Sequence, residues 1–390
     1  MITNTTETST PTTEDLRGRA PTPPSNPADW RAWIDFGLAW SKASYRGTDW
    51  AGSDWAGSGS AATRTSFPLR MSAYQEDTPG ARWKELYDAT WPAYSSWYAS
   101  QGFSARPSLA ECRAQLSRHM PELVPTWERL VKLSGNDTVA ARLLTMWNMP
   151  SFACGCSQAV LPGQDPLLVR NYDYDLDLFE GVIASTNWSG KRKVIGTSDL
   201  LWGLLDGMNE DGLVVSLTFG GRSDVGEGFG IPLVVRYLLE TCADVEAAIA
   251  ALDGLPIAQS YNLTLADTSG AHATVFVTPG EPIAVSDLTV ATNHRLDEVE
   301  RPEHARRLNS LPRQEHLTRL LDEGTARHRL VEAFLDEPLR AEQYTIGFGT
   351  LYTAAYRPAA GAVTYRWPGQ TWVRTFDDQD DTRQVTLAGR

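Results

Sequence analysis

The 390-residue sequence has only four cysteines and six histidines, and it lacks any long apolar run. Four cysteines in a chain of this length do not provide the disulfide scaffold of a small secreted protein. No stretch approaches the ~20 apolar residues that a transmembrane helix needs, and the polar start has neither the basic nor the apolar region of a signal peptide. We therefore expect a cytoplasmic protein that does not act at a membrane.

Positive charge is also scarce, since 35 lysines and arginines face 48 aspartates and glutamates for a net charge of −13. A nucleic-acid partner needs a basic face, so we do not expect one. The glycine-rich loops GxGxxG and GxxxxGKS/T of nucleotide-binding proteins are absent. Cys154-Gly-Cys156 resembles half of a zinc site, but no second pair stands at ligand spacing. The sequence thus predicts neither a metal nor a cofactor.

The chain divides into three parts by composition. Residues 1–28 are polar and rich in threonine and proline, which predicts a disordered tail. Residues 29–155 show mostly helical apolar spacing, and we expect a helical N-terminal segment there. Residues 156–390 alternate short β-rich runs with helical runs, which favours a layered α+β sandwich as the catalytic domain.

Two local patterns stand out in the helical segment. Gly135 followed by Asp137 predicts the end of one helix and the capped start of the next. Residues 49–58 are a tandem of Asp-Trp-Ala-Gly-Ser. Two copies do not make a solenoid, so we interpret the tandem as a duplicated surface loop, with a mobile aromatic loop over a site as the alternative.

The chemistry-bearing residues of the domain gather around one predicted hairpin. Pro162-Gly163 separates two β-rich runs, the first beginning at Cys156 and the second containing Arg170 and Asp173. An antiparallel pair places its two ends side by side. We therefore expect a thiol, a guanidinium and a carboxylate at one end of a sheet, where the cation stabilises a thiolate. A plain salt bridge across the hairpin is the alternative.

Two kinds of base are available to activate Cys156. His294 is the only histidine beside other candidate residues, and none of the six lies in a familiar cysteine-protease signature. Cleavage of the Gly155–Cys156 bond would instead free an α-amine with a pKa of about 7.7–8.0, which can act as the base for its own thiol. Gly155 would give the backbone the unusual angles that attack on its carbonyl requires. Both hypotheses stay open at this point.

Five short motifs occur in the order found in one enzyme family. They are Gly155-Cys-Ser157, Arg170-Asn-Tyr-Asp173, Asp206-Gly-Met-Asn-Glu-Asp-Gly-Leu213, Ala291-Thr-Asn-His294 and Asn309-Ser-Leu-Pro-Arg313. Over roughly 75–390 the sequence resembles the N-terminal-nucleophile hydrolases of the penicillin acyltransferase (isopenicillin N acyltransferase-like) family, relatives of the choloylglycine hydrolases and penicillin V acylases. The resemblance implies a four-layer αββα sandwich, autocatalytic cleavage before the nucleophile and attack on linear amide bonds.

The resemblance assigns a role to each matching residue. It implies that Cys156 is the nucleophile, that Gly155–Cys156 is the cleavage site, and that Arg170 lies beside the thiol. It also implies that Asp173 contacts the new α-amine and that Asn293 helps to form the oxyanion hole. These roles are chemically coherent, because acyl transfer needs donors aimed at the developing oxyanion.

Further positions complete the expected site. The resemblance places Ser310 and Arg313 near the nucleophile, and it places Thr218 where the bile salt branch commonly has an asparagine. A backbone N–H near Thr218 would then be the second oxyanion donor. Cys154 is the rival nucleophile, but it lacks the glycine before it and the serine after it that Cys156 has.

We therefore expect a self-processing cysteine amidohydrolase or acyltransferase that acts on the linear amide of a small N-acyl compound. Hydrolysis and transfer differ only in the acceptor, and the motifs do not separate them. The expected partners are the substrate and the α and β fragments of the same chain, and a homo-oligomer is left open. The long leader matches the acyltransferase branch, where it is kept as an α chain. The alternatives are an uncleaved His-assisted cysteine hydrolase and a non-catalytic binding protein with the same fold.

Overall fold

Two β-sheets pack face to face and carry helices on both outer sides. The computed structural model describes residues 65–152, 154–222, 224–295, 305 and 308–389. The tail at 1–28, the first predicted helical run at 29–45 and the tandem at 49–58 lie outside the described residues. Within them, the four-layer αββα sandwich expected from the sequence is confirmed.

The first sheet has nine strands, numbered here in chain order. They are β1 (Thr65–Glu76), β4 (Val182–Thr186), β5 (Val194–Asp199), β6 (Gly203–Asn209), β7 (Val214–Phe219), β8 (Tyr261–Ala266), β9 (His272–Val277), β10 (Ala284–Ser286) and β16 (Asp381–Gly389). Their order is β10-β9-β8-β7-β6-β5-β4-β1-β16. Neighbours are antiparallel apart from β1 and β4, which run parallel. Strands β6 and β7 are buried along their whole length, because one face meets the second sheet and the other meets a helix.

The second sheet contains the predicted hairpin. Its strands are β2 (Gly155–Leu161), β3 (Leu167–Tyr174), β11 (Val290–Ala291), β12 (Glu342–Gln343), β13 (Phe348–Arg357), β14 (Ala362–Trp367) and β15 (Gln370–Thr375). Their order is β11-β2-β3-β13-β14-β15, and β12 pairs with β13. The hairpin is formed by β2 and β3, and Gly163 in its turn has a φ of 125°, a conformation that favours glycine.

Alternate residues of β2 and β3 enter two different apolar clusters. Cys156, Val160 and Leu168 belong to the core between the two sheets. Ala159 and Val169 instead pack under the helices on the outer side. Successive side chains of a strand point to opposite faces. The odd or even position of a residue along the hairpin therefore decides which of the two cores it enters.

Helices cover the outer face of each sheet and also occur in the described part of the leader. They are α1 (Ala81–Tyr98), α2 (Leu109–His119), α3 (Val124–Leu133), α4 (Thr138–Leu143), α5 (Ile231–Thr241), α6 (Val245–Leu252), α7 (Ser310–Asp322) and α8 (Arg327–Ala333). Helix α5 lies on β6 and β7, α6 lies on β8 and β9, and α7 lies on β2 and β11. Short 3-10 turns occur at Phe103–Ala105, Pro121–Leu123, Leu176–Leu178, Tyr344–Ile346 and Pro358–Ala360. Across the described part of the chain, no helix is long and apolar enough to cross a membrane.

The leader before residue 156 is helical in α1 to α4 but also supplies a strand. Gly135 follows α3 at a φ of 79°, and Asp137 Oδ1 accepts hydrogen bonds from two N–H groups at the start of α4. The predicted pair of helix caps is therefore confirmed. The description of 29–155 as a helical segment needs correction, because β1 lies inside it and pairs with β4 and β16.

Candidate functional site

The hairpin of β2 and β3 places the predicted thiol in the interior of the sandwich. Cys156 is the second residue of β2, stands opposite Tyr172 and is fully buried. Gln158 stands opposite Arg170 and points to the same side as Cys156. Gln158 Nε2 donates to Thr264 Oγ1 of β8 at 2.6 Å, which ties this face of the hairpin to the first sheet. The candidate nucleophile therefore faces the space between the sheets.

Arg170 contacts the thiol directly. Its Nη2 donates to Cys156 Sγ at 3.2 Å. Its Nη1 donates to Asp206 Oδ2 at 2.9 Å and to the Leu205 carbonyl at 2.8 Å, both on β6. The side chains of Arg170 and Asp206 are both 0% exposed, so the whole ion pair lies inside the core. A guanidinium held in this way stabilises a thiolate without having to move.

Asp206 completes this ion pair, although no role was predicted for it. Its carboxylate also accepts hydrogen bonds from Tyr352 Oη at 2.5 Å, from Thr197 Oγ1 at 3.0 Å and from the Tyr356 hydroxyl. A buried charge needs this number of partners, because an uncompensated one costs several kcal/mol. Asp206 is the first residue of the motif Asp206–Leu213, and this position was the sequence signal that could have identified it as the partner of Arg170.

A second thiol lies beside the first. Cys154 Sγ is 3.7 Å from Cys156 Sγ, and both side chains are buried. The hydrogen bond to Cys156, followed by burial, raises the pKa of the Cys154 thiol well above its ordinary value. Burial also raises the pKa of Cys156, but the hydrogen bond from Cys154 and the charge of Arg170 outweigh it and hold that pKa below its ordinary value. Cys156 is therefore the thiol that ionises first.

Asp173 lies on the opposite face of β3 from Arg170. Its Oδ2 accepts from Arg313 Nη1 of α7 at 2.5 Å, and its Oδ1 accepts from Thr350 Oγ1 at 2.5 Å. Arg313 Nε also donates to the Pro338 carbonyl at 3.0 Å. The alternative of a salt bridge between Arg170 and Asp173 across the hairpin is wrong, because Arg170 pairs with Asp206 and Asp173 pairs with Arg313. Strand alternation sends the two side chains to different cores, where each has its own partner.

Gly155 stands opposite Asp173 at the start of β2. A Cβ built on Gly155 would lie 2.5 Å from the Phe348 ring and 3.1 Å from Asp173 Cβ. Its φ lies outside the left-handed region in the uncut chain. Glycine is required here for space, because any side chain would displace Phe348. The candidate scissile bond therefore joins Gly155, at a strand position that faces the outer side of the sheet, to Cys156, whose side chain faces the core between the sheets.

Asn293 binds the backbone around the candidate scissile bond. Its Oδ1 accepts a hydrogen bond from the Cys156 N–H at 2.9 Å. Its Nδ2 donates to the Cys154 carbonyl at 3.4 Å and to the Phe219 carbonyl at 3.2 Å. The side chain of Asn293 thus binds backbone groups on both sides of Gly155, and its N–H groups serve two backbone carbonyls in the uncut chain.

Thr218 and Ser310 reach the site through Thr292, the residue before Asn293. Thr218 Oγ1 donates to the Thr292 carbonyl at 3.1 Å, and Ser310 Oγ donates to Thr292 Oγ1 at 3.0 Å. His294 Nδ1 lies 2.7 Å from Ser310 Oγ and 3.2 Å from Thr292 Oγ1. These buried contacts fix the residues on both sides of Asn293. These contacts of Thr218, Ser310 and His294 therefore support the segment that carries Asn293.

A buried pair of carboxyl groups was not predicted. Tyr94 Oη donates to Glu180 Oε1 at 2.7 Å and lies 3.3 Å from Asp199 Oδ1. Leu200 and Leu201 have positive φ values of 54° and 73°, and their N–H groups donate to Tyr94 Oη and Glu180 Oε1. Burial, followed by the charge of Glu180, raises the pKa of Asp199 to about 8. The cluster holds a strained turn after β5, and no short motif marks it.

A cavity of about 790 Å³ is lined by β1, α1, the loop after β3 and the start of β16. Its wall includes Phe179, whose ring packs on the rings of Tyr172 and Tyr352. Cys156 is 0% exposed, so a substrate reaches the thiol only after part of the structure moves. Among the residues described, no group of three or more His, Cys, Asp or Glu side chains is placed to hold a metal ion.

Several solved structures are similar to this chain at low identity. A mutant conjugated bile acid hydrolase from Clostridium perfringens has 13% identity and a TM-score of 0.37, covering 59% of this chain and 96% of that chain. Penicillin V acylase from Agrobacterium tumefaciens has 17% identity and a TM-score of 0.35, with coverages of 56% and 84%. The Caenorhabditis elegans ortholog of N-acylethanolamine-hydrolyzing acid amidase has 15% identity and a TM-score of 0.40, with coverages of 52% and 93%.

The sequence itself matches one family. No curated protein sequence matches the chain. The family model described as acyl-coenzyme A:6-aminopenicillanic acid acyl-transferase, however, matches residues 160–372, which is more than half of the chain. The matched region contains Arg170, Asp206 and Asn293 and ends in β15. The chain therefore belongs to the acyl-coenzyme A:6-aminopenicillanic acid acyl-transferase family.

Proposed function

We propose that this chain is a self-processing cysteine enzyme that hydrolyses or transfers the acyl group of a small linear amide. The observation that carries the proposal is the arrangement at Cys156. Arg170 Nη2 lies 3.2 Å from its sulfur, and Asn293 Oδ1 lies 2.9 Å from its nitrogen. The cation favours the thiolate, and the asparagine binds the nitrogen that would become the α-amine. Membership of an acyl-transferase family supports an enzyme that acts on amides.

The first reaction is self-cleavage. Cys156 Sγ attacks the carbonyl carbon of Gly155, the Cys156 nitrogen takes a proton and leaves, and a thioester joins the two residues. Water then hydrolyses the thioester to a carboxylate on Gly155 and a free α-amine and thiol on Cys156. The lowered pKa of the Cys156 thiol supports this step, because the thiolate is the nucleophile. Asn293 Oδ1 accepts from the same nitrogen before and after the cut.

Self-cleavage also explains how a buried thiol meets a substrate. Gln259 binds the N–H and the carbonyl of Phe152 at 3.2 and 3.4 Å, and Asn293 binds the Cys154 carbonyl at 3.4 Å. These contacts are few and mostly long, so a free chain end at Gly155 can leave the site. Its departure exposes Cys156 and frees Asn293 Nδ2 for a new acceptor.

The second reaction uses an external amide. The Cys156 thiolate attacks the substrate carbonyl, Asn293 Nδ2 donates to the oxyanion, and the protonated α-amine passes a proton to the leaving nitrogen. The acyl-enzyme that remains is released by water in hydrolysis or by an amine in transfer. The family description names an acyl transfer from coenzyme A to 6-aminopenicillanic acid. For this chain we favour hydrolysis of an N-acyl compound, because water is always present, and an acceptor amine is the alternative.

The outer ion pair would support the new chain end. Asp173 stands opposite Gly155. When Gly155 leaves, the carboxylate of Asp173 lies next to the α-amine of Cys156. Arg313 and Thr350 hold that carboxylate in place. We assign Asp173 to the α-amine and Arg313 to the orientation of Asp173.

The alternatives have less support from the contacts. His294 Nδ1 binds Ser310 and Thr292, whereas the Cys156 sulfur contacts Arg170 and Cys154. An uncleaved His-assisted hydrolase therefore ranks second. A non-catalytic binding protein ranks third, since binding alone does not need a buried thiol of lowered pKa. The cytoplasmic location and a homo-oligomer stay predictions.

Intact mass spectrometry of the purified protein tests the proposal. We expect two fragments, 1–155 and 156–390, and N-terminal sequencing of the larger one should give Cys-Ser-Gln-Ala-Val. A single intact chain in a preparation that releases amines from N-acyl compounds would refute the free-amine mechanism. Cys156→Ala should remain intact and inactive, while Cys154→Ala should still yield the same two fragments. If Cys154→Ala lost both self-cleavage and activity while Cys156→Ala kept both, Cys154 would be the nucleophile.

A further inference from the structure

Cys154 is the part of the Cys-Gly-Cys motif that the proposed function does not use. Its side chain is 3% exposed, and its sulfur lies 3.7 Å from the sulfur of Cys156. In the uncut chain its carbonyl accepts a hydrogen bond from Asn293 Nδ2 at 3.4 Å. A hydrogen bond between two thiols has one donor and one acceptor. The direction of this bond therefore decides what Cys154 does.

Arg170 sets that direction. Its Nη2 donates to the Cys156 sulfur at 3.2 Å, and a guanidinium has no acceptor. The Cys156 sulfur is therefore an acceptor, and a thiolate accepts best. A thiolate at Cys156 carries no proton, so Cys154 is then the donor. The pKa directions agree, because the pKa of Cys154 is raised by this hydrogen bond and that of Cys156 is lowered by it.

We propose that Cys154 is a positioning residue for self-cleavage, whose S–H donates to the Cys156 thiolate and keeps it ionised and aligned until the chain is cut. The inference rests on the proposed function. Before the cut, the Cys156 nitrogen is an amide and cannot serve as a base. After the cut, an α-amine with a pKa of about 7.7–8.0 is available to the same thiol. Cys154 therefore matters more for self-cleavage than for turnover.

The other charged groups near the two thiols do not replace this donor. Cys156 is influenced by Arg170, Arg313 and Asp173, and Cys154 is influenced by Arg170 and Asp199. Arg170 already donates to the sulfur, whereas Asp173 and Arg313 bind each other on the outer side of β3. Removing the S–H of Cys154 leaves Arg170 as the described donor, and the pKa of Cys156 rises.

The variants Cys154→Ala and Cys154→Ser separate the hydrogen bond from packing. The two side chains have nearly the same volume, but only serine carries a donor. Full-length chains from cell-free translation are followed from intact chain to fragments at a series of pH values. In parallel, the alkylation rate of Cys156 by iodoacetamide is measured against pH, with the labelled residue located by peptide mass spectrometry. Restricted access to the buried thiol lowers the absolute alkylation rate, but the pH midpoint of alkylation still follows the pKa of the thiol.

We expect Cys154→Ala to slow self-cleavage at pH 7 by about tenfold and to raise the pH midpoint of alkylation by about one unit, as for the loss of a hydrogen bond to a charged group. Cys154→Ser should stay within about threefold of the wild-type rate. The kcat of fragments that have been cut should change less than the cleavage rate in both variants.

Two outcomes would overturn the inference. In the first, Cys154→Ala and Cys154→Ser have the same cleavage rate and the same pH midpoint of Cys156 alkylation. In the second, the pH midpoint of Cys156 alkylation in Cys154→Ala equals that of the wild-type chain. If the wild-type chain is never cut, the proposed function fails, and the alkylation midpoints of the intact chains still decide whether Cys154 donates to Cys156.

Discussion

The two faces of β3 carry two buried arginine–carboxylate pairs in different surroundings. On the inner face, Arg170 pairs with Asp206 at 2.9 Å and shares its guanidinium with the thiol. On the outer face, Asp173 pairs with Arg313 at 2.5 Å and with Thr350. All four charged side chains are at most 2% exposed. One strand therefore separates the arginine that contacts the Cys156 thiol from the ion pair that we assign to the proposed new chain end.

Breaking the inner pair has the largest expected effect. Arg170→Leu leaves Asp206 buried without its cation, which typically lowers the free energy of unfolding by about 3–5 kcal/mol. It also removes the cation from Cys156, so we expect self-cleavage to be nearly lost and the thiol pKa to rise. Both are measured on the folded protein, as cleavage half-time and as the pH midpoint of iodoacetamide alkylation.

Arg236→Leu is the matched control for that variant. Arg236 forms a buried ion pair with Glu240 at 2.7 Å within α5, away from the thiol. This variant should lose a similar amount of stability and keep the wild-type alkylation midpoint. Equal shifts of the midpoint in both variants would mean that Arg170 acts through stability alone.

Asn293→Ala tests the side chain that binds the Cys156 N–H. We expect kcat to fall by about 10²–10³, as for the loss of one oxyanion donor. The free energy of unfolding should fall by about 1–3 kcal/mol, because the Cys156 N–H and the Phe219 carbonyl lose a buried partner. Asn262→Ala is the control, since Asn262 Nδ2 donates to the Thr292 and His294 carbonyls at 2.9 Å. If both variants lose kcat equally, Asn293 only shapes the turn.

Double-mutant cycles measure whether the two faces are independent. Asp173→Asn combined with Arg313→Leu should show a coupling of about 1–3 kcal/mol in urea unfolding, because the two side chains form one pair. Asp173→Asn combined with Arg170→Leu should be additive within about 0.5 kcal/mol, because the hydrogen bonds of the two side chains go to different partners. A strong coupling between Asp173 and Arg170 would contradict the separation of the faces.

Asp199 lies outside the two arginine–carboxylate pairs, and this buried carboxyl has Tyr94 and Glu180 beside it. Its pKa of about 8 lies above the unfolded value of about 3.9, so the folded state binds the proton more tightly. Stability therefore falls as pH rises between these values, by up to about 1.4 kcal/mol per pH unit. Asp199→Asn should flatten the change in unfolding free energy between pH 6 and 8. An unchanged slope would mean that Asp199 is already ionised in the folded protein.

The hairpin and its thiol were predictable because their signals are local. Pro162-Gly163 marks the turn, and the spacing along two strands puts Arg170 on the same face as Cys156. The partners of the charges were not predictable in the same way. Asp206 lies 36 positions from Arg170, and Arg313 lies 140 positions from Asp173. Only the completed sandwich brings such groups together, and the alternation of β3 then decides which of them meet.

Strand β1 was missed because its local signals are poor. Pro68 lies within it and cannot donate a ladder hydrogen bond, and proline is usually confined to edge strands. Its neighbours in the sheet are also remote in sequence, since Pro68 stands opposite Thr386 and Ser72 stands opposite Val182. The pairing that stabilises β1 is therefore invisible in any short window.

Because β1 lies before residue 156 while its neighbours β4 and β16 lie after it, the proposed cut would turn folding from a one-molecule into a two-molecule process. The intact precursor folds as one chain, so its stability does not depend on protein concentration. After the proposed cut, one strand of the nine-stranded sheet belongs to the leader and its neighbours belong to the other chain. Unfolding then separates two molecules, the melting temperature rises with concentration, and refolding becomes a second-order encounter. The cut enzyme, once unfolded at low concentration, would rarely reassemble, so its lifetime is set by the rate of unfolding.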